Sequence, residues 1–132
     1  MKSTPSRSPL HRAKILCIDD AAAVRRLAEK MLAPFDCEFS EASNGFNALF
    51  AMERALPDLI LLDVKMPTMG GLEMLTMMRA NPTLHALPVI MLTSPADHAV
   101  MAQLTSLGIS GHVMKPFTPA ALLEKIRSVL AL

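Results

Sequence analysis

The sequence has little that would place it among secreted, zinc-binding or membrane-inserted proteins. Its two cysteines, Cys17 and Cys37, form no CxxC pair, which argues against a zinc site and against a disulfide framework. No apolar run approaches the length that spans a bilayer, and the first basic residues are not followed by the hydrophobic segment of a signal peptide. We therefore expect reduced thiols in a cytoplasmic protein without membrane insertion.

An excess of charge of one sign is also absent. The formal net charge is +1, which gives no reason to expect direct nucleic-acid binding. Four of the 13 basic residues precede Asp19, the first acidic residue, and residues 1–12 are rich in serine and proline. This composition predicts a disordered basic leader over 1–12, followed by one domain over 13–132 that is large enough to bury a hydrophobic core.

From residue 13 onward, short apolar runs alternate with segments of helical periodicity. The candidate strands are residues 14–18, 37–42, 58–62, 88–92 and 111–114. Short strands joined through helices run parallel, and the helices then cover both faces of the sheet. The sequence thus predicts an α/β fold, a doubly wound five-stranded parallel sheet.

Helical signals between the strands are specific enough to be tested. The first helical pattern places Leu27 on the face that packs against the sheet. The fourth helix should begin after Ser94, which forms a cap signature with Pro95 and Asp97. Thr118, also followed by proline, should cap the fifth helix in the same way.

Polar residues follow four of the predicted strands. They are Asp19 and Asp20 after the first strand, Asp63 after the third, Thr93 after the fourth and Lys115 after the fifth. In doubly wound folds ligands bind beyond the carboxyl ends of the strands, so we expect these residues to form one site. Three neighbouring carboxylates repel one another unless a cation compensates, and Mg²⁺ prefers oxygen ligands. The sequence therefore predicts a magnesium site.

The same residues are suited to phosphoryl transfer. Neither GxxxxGK[ST] nor GxGxxG is present, so no glycine-rich cradle for a nucleotide is predicted. A carboxylate can attack phosphorus and form an aspartyl phosphate, while a lysine and a hydroxyl take other phosphoryl oxygens. Asp63 is the best nucleophile candidate because it ends the central apolar strand.

Four segments resemble the signature sequences of response regulator receiver domains. They are ILCIDD at 15–20, LLDVKMPTMGG at 61–71, VIMLT at 89–93 and MKPF at 114–117. They occur in the order and at the spacing of that family, across residues 13–132. The resemblance implies the flavodoxin-like (βα)5 fold with strand order 2-1-3-4-5.

The resemblance also implies a role for each acidic residue. Asp63 would accept a phosphoryl group from a histidine kinase or a histidine phosphotransfer protein. Asp20, Asp63 and the backbone carbonyl of Lys65 would bind Mg²⁺, and Asp19 would act through water. Thr93 would contact the phosphoryl group.

The fifth strand end carries further implied roles. Lys115 would also contact the phosphoryl group, and the Lys115–Pro116 peptide bond would be cis. Phosphorylation would change the surface formed by the fourth helix, fifth strand and fifth helix, which would bind a downstream protein target. The protein would be a monomer or a phosphorylation-linked dimer, and it would catalyse only its own phosphorylation and dephosphorylation.

Two positions depart from the commonest family pattern. Lys65 stands two residues after Asp63, where the side chain influences dephosphorylation, so we expect an altered phosphate lifetime. His112 occupies the position of an aromatic switch residue in many members. Either it is a titratable switch, or it is a partly exposed histidine at the rim without that role.

Two other functions are compatible with parts of the sequence. One is a phosphohydrolase with an aspartate nucleophile, but such enzymes usually carry a second aspartate where this chain has Lys65. The other is a scaffold that acts without phosphorylation, which the full set of five candidate residues argues against.

Overall fold

The structure is a computed structural model that describes residues 12–132, so most of the predicted leader lies outside the described residues. Its strands are β1 Ala13–Ile18, β2 Cys37–Ala42, β3 Leu59–Asp63, β4 Val89–Thr93 and β5 Gly111–Met114. Its helices are α1 Ala22–Leu32, α2 Gly45–Arg54, α3 Gly71–Arg79, α4 Met101–Leu107 and α5 Pro119–Arg127, with a 3₁₀ helix at Pro95–Val100.

The strands form one parallel sheet in the order β2-β1-β3-β4-β5, which confirms the predicted fold and strand order. Every residue of β3 and β4 is buried, as expected of parallel strands covered on both faces. The edge strand β2 is only partly buried. The carboxyl ends of β1 and β3 lie side by side in the middle of the sheet, which is the edge where polar residues were predicted to meet.

Two apolar layers hold helices against the sheet. Ile15, Cys17 and Leu61 point toward the layer that contains α1 and α5, and Leu16 and Ile60 point toward the layer that contains α2, α3 and α4. This alternation follows from the two-residue period of a strand. Cys17 and Cys37 are both buried free thiols, as predicted. Within residues 12–132, none of the helices combines the length and apolar character that crossing a membrane requires.

The helix starts after Ser94 and Thr118 agree with the predicted caps. Two other helix predictions, the helix type after Ser94 and the burial of Leu27, differ from the structure. Thr118 Oγ1 accepts a hydrogen bond from Ala121 N at 3.1 Å, and Ser94 N donates to Asp97 Oδ2 at 2.7 Å. The segment after Ser94 is nevertheless a 3₁₀ helix that becomes α-helical only at Met101. The prediction for Leu27 is wrong, because its side chain is 39% exposed.

Arg79 links three segments on the side of the sheet that carries α3. Its guanidinium donates to the carbonyl oxygens of His85 at 3.0 Å and Leu87 at 3.1 Å in the connection before β4. It also donates to Gly108 O at 2.7 Å and to Leu107 O at 3.1 Å, at the end of α4. One side chain therefore satisfies carbonyl groups at the end of α4, which lack helical partners, and carbonyl groups in the connection before β4.

We expect Arg79→Ala to lower the free energy of unfolding by about 2–3 kcal/mol, because several charge-assisted hydrogen bonds are lost together. Arg79→Lys should recover only a small part, since an ammonium group cannot reproduce the planar fork. Urea unfolding measures both changes. Arg54→Ala, at the exposed end of α2, is the control and should change stability by less than about 0.5 kcal/mol. Equal losses at positions 79 and 54 would contradict the assignment.

Candidate acidic site at the carboxyl edge of the sheet

Three aspartates meet where β1 and β3 end. One carboxylate oxygen from each of Asp19, Asp20 and Asp63 lies within 4.8 Å of the others. Asp19 and Asp63 are buried, whereas Asp20 is exposed at the mouth of the cluster. The structure thus brings together the three acidic residues that the strand-end argument predicted. A compact set of oxygen donors with one solvent-facing member fits a hard divalent cation that keeps part of its water shell.

Lys115 supplies a positive charge to this cluster. Its Nζ lies 2.8 Å from Asp63 Oδ1 and 3.2 Å from Asp19 Oδ2. The lysine is held by the end of β5, where its backbone N donates to Thr93 O at 2.7 Å. The Lys115–Pro116 peptide bond is cis, as the family resemblance implied. One ammonium group therefore bridges carboxylates that come from two different strands.

The balance of burial and charge sets the protonation of the site. Burial raises the pKa of Asp63, the hydrogen bond from Lys115 opposes that shift and the Asp19 carboxylate adds to it, so that the resulting pKa is about 6. Burial alone lowers the pKa of Lys115, but the hydrogen bond to Asp63 and the nearby carboxylates outweigh it, and that pKa is raised. Lys115 thus stays charged, and its charge does not fully compensate the acidic cluster.

The loop that carries Asp19 is fixed by a residue that the sequence did not indicate. Asp19 Oδ1 accepts from Ala21 N at 2.9 Å, which closes the turn into α1. Arg25 Nη1 donates to Asp19 O at 2.7 Å, and Arg25 Nε donates to Glu41 Oε1 at 2.6 Å. Arg25 therefore ties the acidic turn to β2. Nothing in the local pattern distinguishes it from any arginine on a helix surface.

Thr93 lies at the end of β4, as predicted, but its hydroxyl is not directed at the carboxylates by a hydrogen bond. Oγ1 donates to the carbonyl oxygen of Val113 at 3.4 Å, and the side chain is buried. At this distance the bond is weak. The hydroxyl is thus held toward β5 by an interaction that a better acceptor could replace.

Lys65 and His112, the two positions that depart from the family pattern, are both exposed. Lys65 lies two residues after Asp63 in the loop after β3. His112 lies on β5 and pairs in register with Met91 on β4. Within residues 12–132, neither side chain hydrogen-bonds to the three carboxylates. Both are therefore free to respond to a ligand or a partner at the surface.

The loop after β3 depends on a glycine. A Cβ atom on Gly71 would lie 2.2 Å from Asp63 O, a distance that real atoms do not adopt. Gly71 N also donates to Val64 O at 2.8 Å, so α3 begins directly beside the end of β3. Gly70 has more space, with 3.3 Å to Val64 O. Of the Gly-Gly pair, the second glycine is thus the one that the site requires.

Removing the charge of Asp63 should stabilise the metal-free protein. The pKa of this carboxyl group is higher in the folded state than in the unfolded state, so its ionisation is more costly in the folded protein. The free energy of unfolding is therefore highest at low pH and falls as pH rises from about 4 through about 6. We expect Asp63→Asn to raise the free energy of unfolding by roughly 1–3 kcal/mol near pH 7 without Mg²⁺, and by much less near pH 4.

Urea unfolding at the two pH values measures this difference. Asp36→Asn is the control, because Asp36 is a largely exposed carboxylate whose partner among residues 12–132 is Arg12 at the surface. A gain from Asp63→Asn that did not change with pH would show that charge burial is not its cause.

Comparison with known proteins agrees with this geometry. The family model described as the response regulator receiver domain matches residues 15–127. Chemotaxis protein CheY-3 of Vibrio cholerae is 34% identical over 119 residues, which cover 88% of this chain and 90% of that protein. Chemotaxis protein CheY of Pseudomonas aeruginosa is 34% identical over 117 residues, which cover 88% of this chain and 94% of that protein.

Solved structures give the same result. The chemotaxis response regulator CheY4 of Vibrio cholerae has a TM-score of 0.83 and 31% identity, covering 91% of this chain and all of that one. A putative response regulator from Chloroflexus aurantiacus has a TM-score of 0.84 and 28% identity, covering 92% of this chain and all of that one. This chain therefore belongs to the response regulator receiver family, as a CheY-like response regulator of two-component signalling.

Proposed function

We propose that this receiver domain is a switch controlled by phosphorylation of Asp63 with Mg²⁺. The observation that carries the proposal is the ammonium group of Lys115, which contacts both Asp19 and Asp63 inside a cluster of three carboxylates. Such a cluster is costly to bury if it only stabilises the fold. It is useful if the site must hold a cation that neutralises an incoming phosphoryl group.

A divalent cation fits the residues that are present. Three carboxylates face one lysine, so a net negative charge remains for a cation to neutralise. Asp20, Asp63 and the backbone carbonyl of Lys65 would hold Mg²⁺, and Asp19 would contact it through water. When bound, the ion would supply positive charge for the transferring phosphoryl oxygens.

The chain's own residues define the chemical step. An oxygen of Asp63 attacks the phosphorus of a phosphohistidine on a histidine kinase or phosphotransfer protein, so a P–O bond forms while the P–N bond breaks and the imidazole departs. Asp63 must be ionised for this attack, which its raised pKa of about 6 permits at neutral pH. Lys115 Nζ, already 2.8 Å from Asp63, would then pair with a phosphoryl oxygen.

Thr93 would connect phosphorylation of Asp63 to a change at β5. A phosphoryl oxygen is a stronger acceptor than the Val113 carbonyl, which Thr93 Oγ1 contacts at 3.4 Å. Movement of the hydroxyl toward Asp63 would free the backbone of β5 beside the exposed His112. We therefore place the surface that binds a downstream protein on α4, β5 and α5, with His112 as its modulator.

The phosphohydrolase alternative gains no support from the site. The position that would carry its second aspartate is Lys65, an exposed cation. Catalysis would thus be limited to the phosphorylation and dephosphorylation of Asp63 itself. The scaffold alternative differs from our proposal in requiring neither Mg²⁺ nor an ionised Asp63.

Incubation with radiolabelled acetyl phosphate and Mg²⁺ should label the protein, and Asp63→Asn or chelation of Mg²⁺ should abolish labelling. Asp36→Asn, which changes an exposed carboxylate, should label normally. Labelling that persisted in Asp63→Asn would refute the assignment of the acceptor. An unlabelled parent protein that also failed to respond to beryllofluoride would favour the scaffold.

The side chain of Lys65 should set the lifetime of the phosphorylated state. It is exposed two residues after the acceptor, where an ammonium group can pair with the phosphoryl group or exclude water. We expect Lys65→Asn to change the rate of autodephosphorylation by about threefold or more, which a shift of roughly 0.7 kcal/mol in the barrier would produce. Loss of label after donor removal measures it, with Lys30→Asn on α1 as control. Equal rates for parent and Lys65→Asn would eliminate this role.

A further inference from the structure

Arg25, near the start of α1, reaches back to the acidic turn that carries Asp19 and Asp20. Its guanidinium donates to Asp19 O at 2.7 Å and to Glu41 Oε1 at 2.6 Å. The Arg25 side chain is only 16% exposed, so these charge-assisted hydrogen bonds are partly shielded from water. The backbone also joins the turn to β2, because Asp19 N donates to Ala42 O at 3.2 Å. Two neighbouring residues of β2 thus anchor the acidic turn, one of them through Arg25.

The carbonyl group that Arg25 contacts belongs to the peptide unit that leads into Asp20. Asp19 O and Asp20 N lie in one plane, because the peptide bond does not rotate freely. A donor that fixes Asp19 O therefore also fixes the direction in which the chain enters Asp20. Asp20 is the exposed member of the carboxylate cluster, so packing contributes little to its position. Its placement depends largely on the backbone that Arg25 holds.

The adjacent Arg26 shows what Arg25 has in addition to its charge. Arg26 contacts the same Glu41 carboxylate, and it also pairs with Glu29 at 2.7 Å. Its side chain is 53% exposed, and among residues 12–132 it has no hydrogen bond to the acidic turn. The two arginines are therefore neighbouring cations that share a partner, and of the two it is Arg25 that reaches Asp19.

Charge and position predict opposite effects of Arg25 on a cation that binds at the carboxylate cluster. An arginine near the cluster repels a divalent cation, so loss of its charge alone would tighten binding. An arginine that holds the metal ligands in place lowers the cost of ordering them, so its loss would weaken binding. The Glu41 carboxylate offsets much of the repulsion, whereas both hydrogen bonds are short. We therefore expect the effect of position to exceed that of charge.

We propose that Arg25 is a positioning residue for the magnesium site, which it supports by joining Asp19 O to the Glu41 carboxylate. It acts through the backbone of the acidic turn and touches neither the cation nor the phosphoryl group. This role rests on the function proposed above, because it requires Mg²⁺ to bind at Asp20 and Asp63. Through Glu41, the edge strand β2 becomes part of the support of the site.

The affinity of the full chain for Mg²⁺ tests this role. The chain has no tryptophan or tyrosine, so the titration is followed by the amide shifts of isotope-labelled protein in NMR spectra, which also report whether each variant is folded. We expect Arg25→Ala to raise the dissociation constant for Mg²⁺ about tenfold, as is typical when a group that orients metal ligands is lost. Arg25→Lys should weaken binding nearly as much, because an ammonium group keeps the charge but cannot span both acceptors.

Arg26→Ala is the matched control. It removes the same charge from the adjacent position and the same contact with Glu41, so it should leave the dissociation constant for Mg²⁺ within about twofold of that of the parent. Labelling by acetyl phosphate gives a second measurement. Arg25→Ala should need about tenfold more Mg²⁺ for half of its maximal rate, and saturating Mg²⁺ should restore the rate to within about threefold of that of the parent.

The outcomes distinguish this role from the proposed function. Equal affinities of folded Arg25→Ala and Arg26→Ala for Mg²⁺, or tighter binding by Arg25→Ala, would overturn the role of Arg25 and leave the proposed function intact. Parent-like affinity of Arg25→Lys would contradict the anchoring to two acceptors, and this variant decides the question if Arg25→Ala does not fold. A parent protein that binds no Mg²⁺ would overturn both proposals.

Discussion

The contact of Lys115 with Asp19 and Asp63 is the interaction on which the site depends. The sheet brings the ends of β1, β3 and β5 to one edge, and those ends carry three carboxylates and one ammonium group. Burial, together with charges that do not balance, keeps the pKa of Asp63 raised to about 6. The fold thus holds an acidic centre that favours the arrival of positive charge, and this bias makes it suited to a divalent cation.

The backbone around Asp63 imposes a second constraint. The start of α3 approaches so closely that only a glycine at position 71 fits against Asp63 O. Thr68, in the same loop, has a positive φ of 72°, which is uncommon for a β-branched residue. Strain of this kind persists only where the surrounding structure enforces it. Close packing therefore holds the loop between β3 and α3 in place, which is consistent with the proposed need to present Asp63 and the Lys65 carbonyl at fixed positions.

Features with a local pattern could be predicted from the sequence, and features that arise from tertiary contact could not. Apolar runs and strand-end polar residues revealed the sheet and the proximity of Asp19, Asp20 and Asp63, because the geometry of parallel strands is general. The roles of Arg25 and Arg79 depend on partners that are distant in sequence, the Glu41 carboxylate for Arg25 and the Gly108 carbonyl for Arg79. Leu27 followed the helical period but lies at the margin of the buried stripe, where the period alone does not decide exposure.

The direction of the Thr93 hydroxyl also had no sequence signal, and it bears most on the proposed switch. A ligand can shift an equilibrium only by its differential affinity for the two states. The hydroxyl is buried, so it must have a partner in either state, and its present bond to Val113 O is long at 3.4 Å. Exchange of that bond for one to a phosphoryl oxygen would gain charge assistance while losing little. In the proposed switch, a weak bond at this position would therefore permit a modest chemical change at Asp63 to favour a different arrangement of β5.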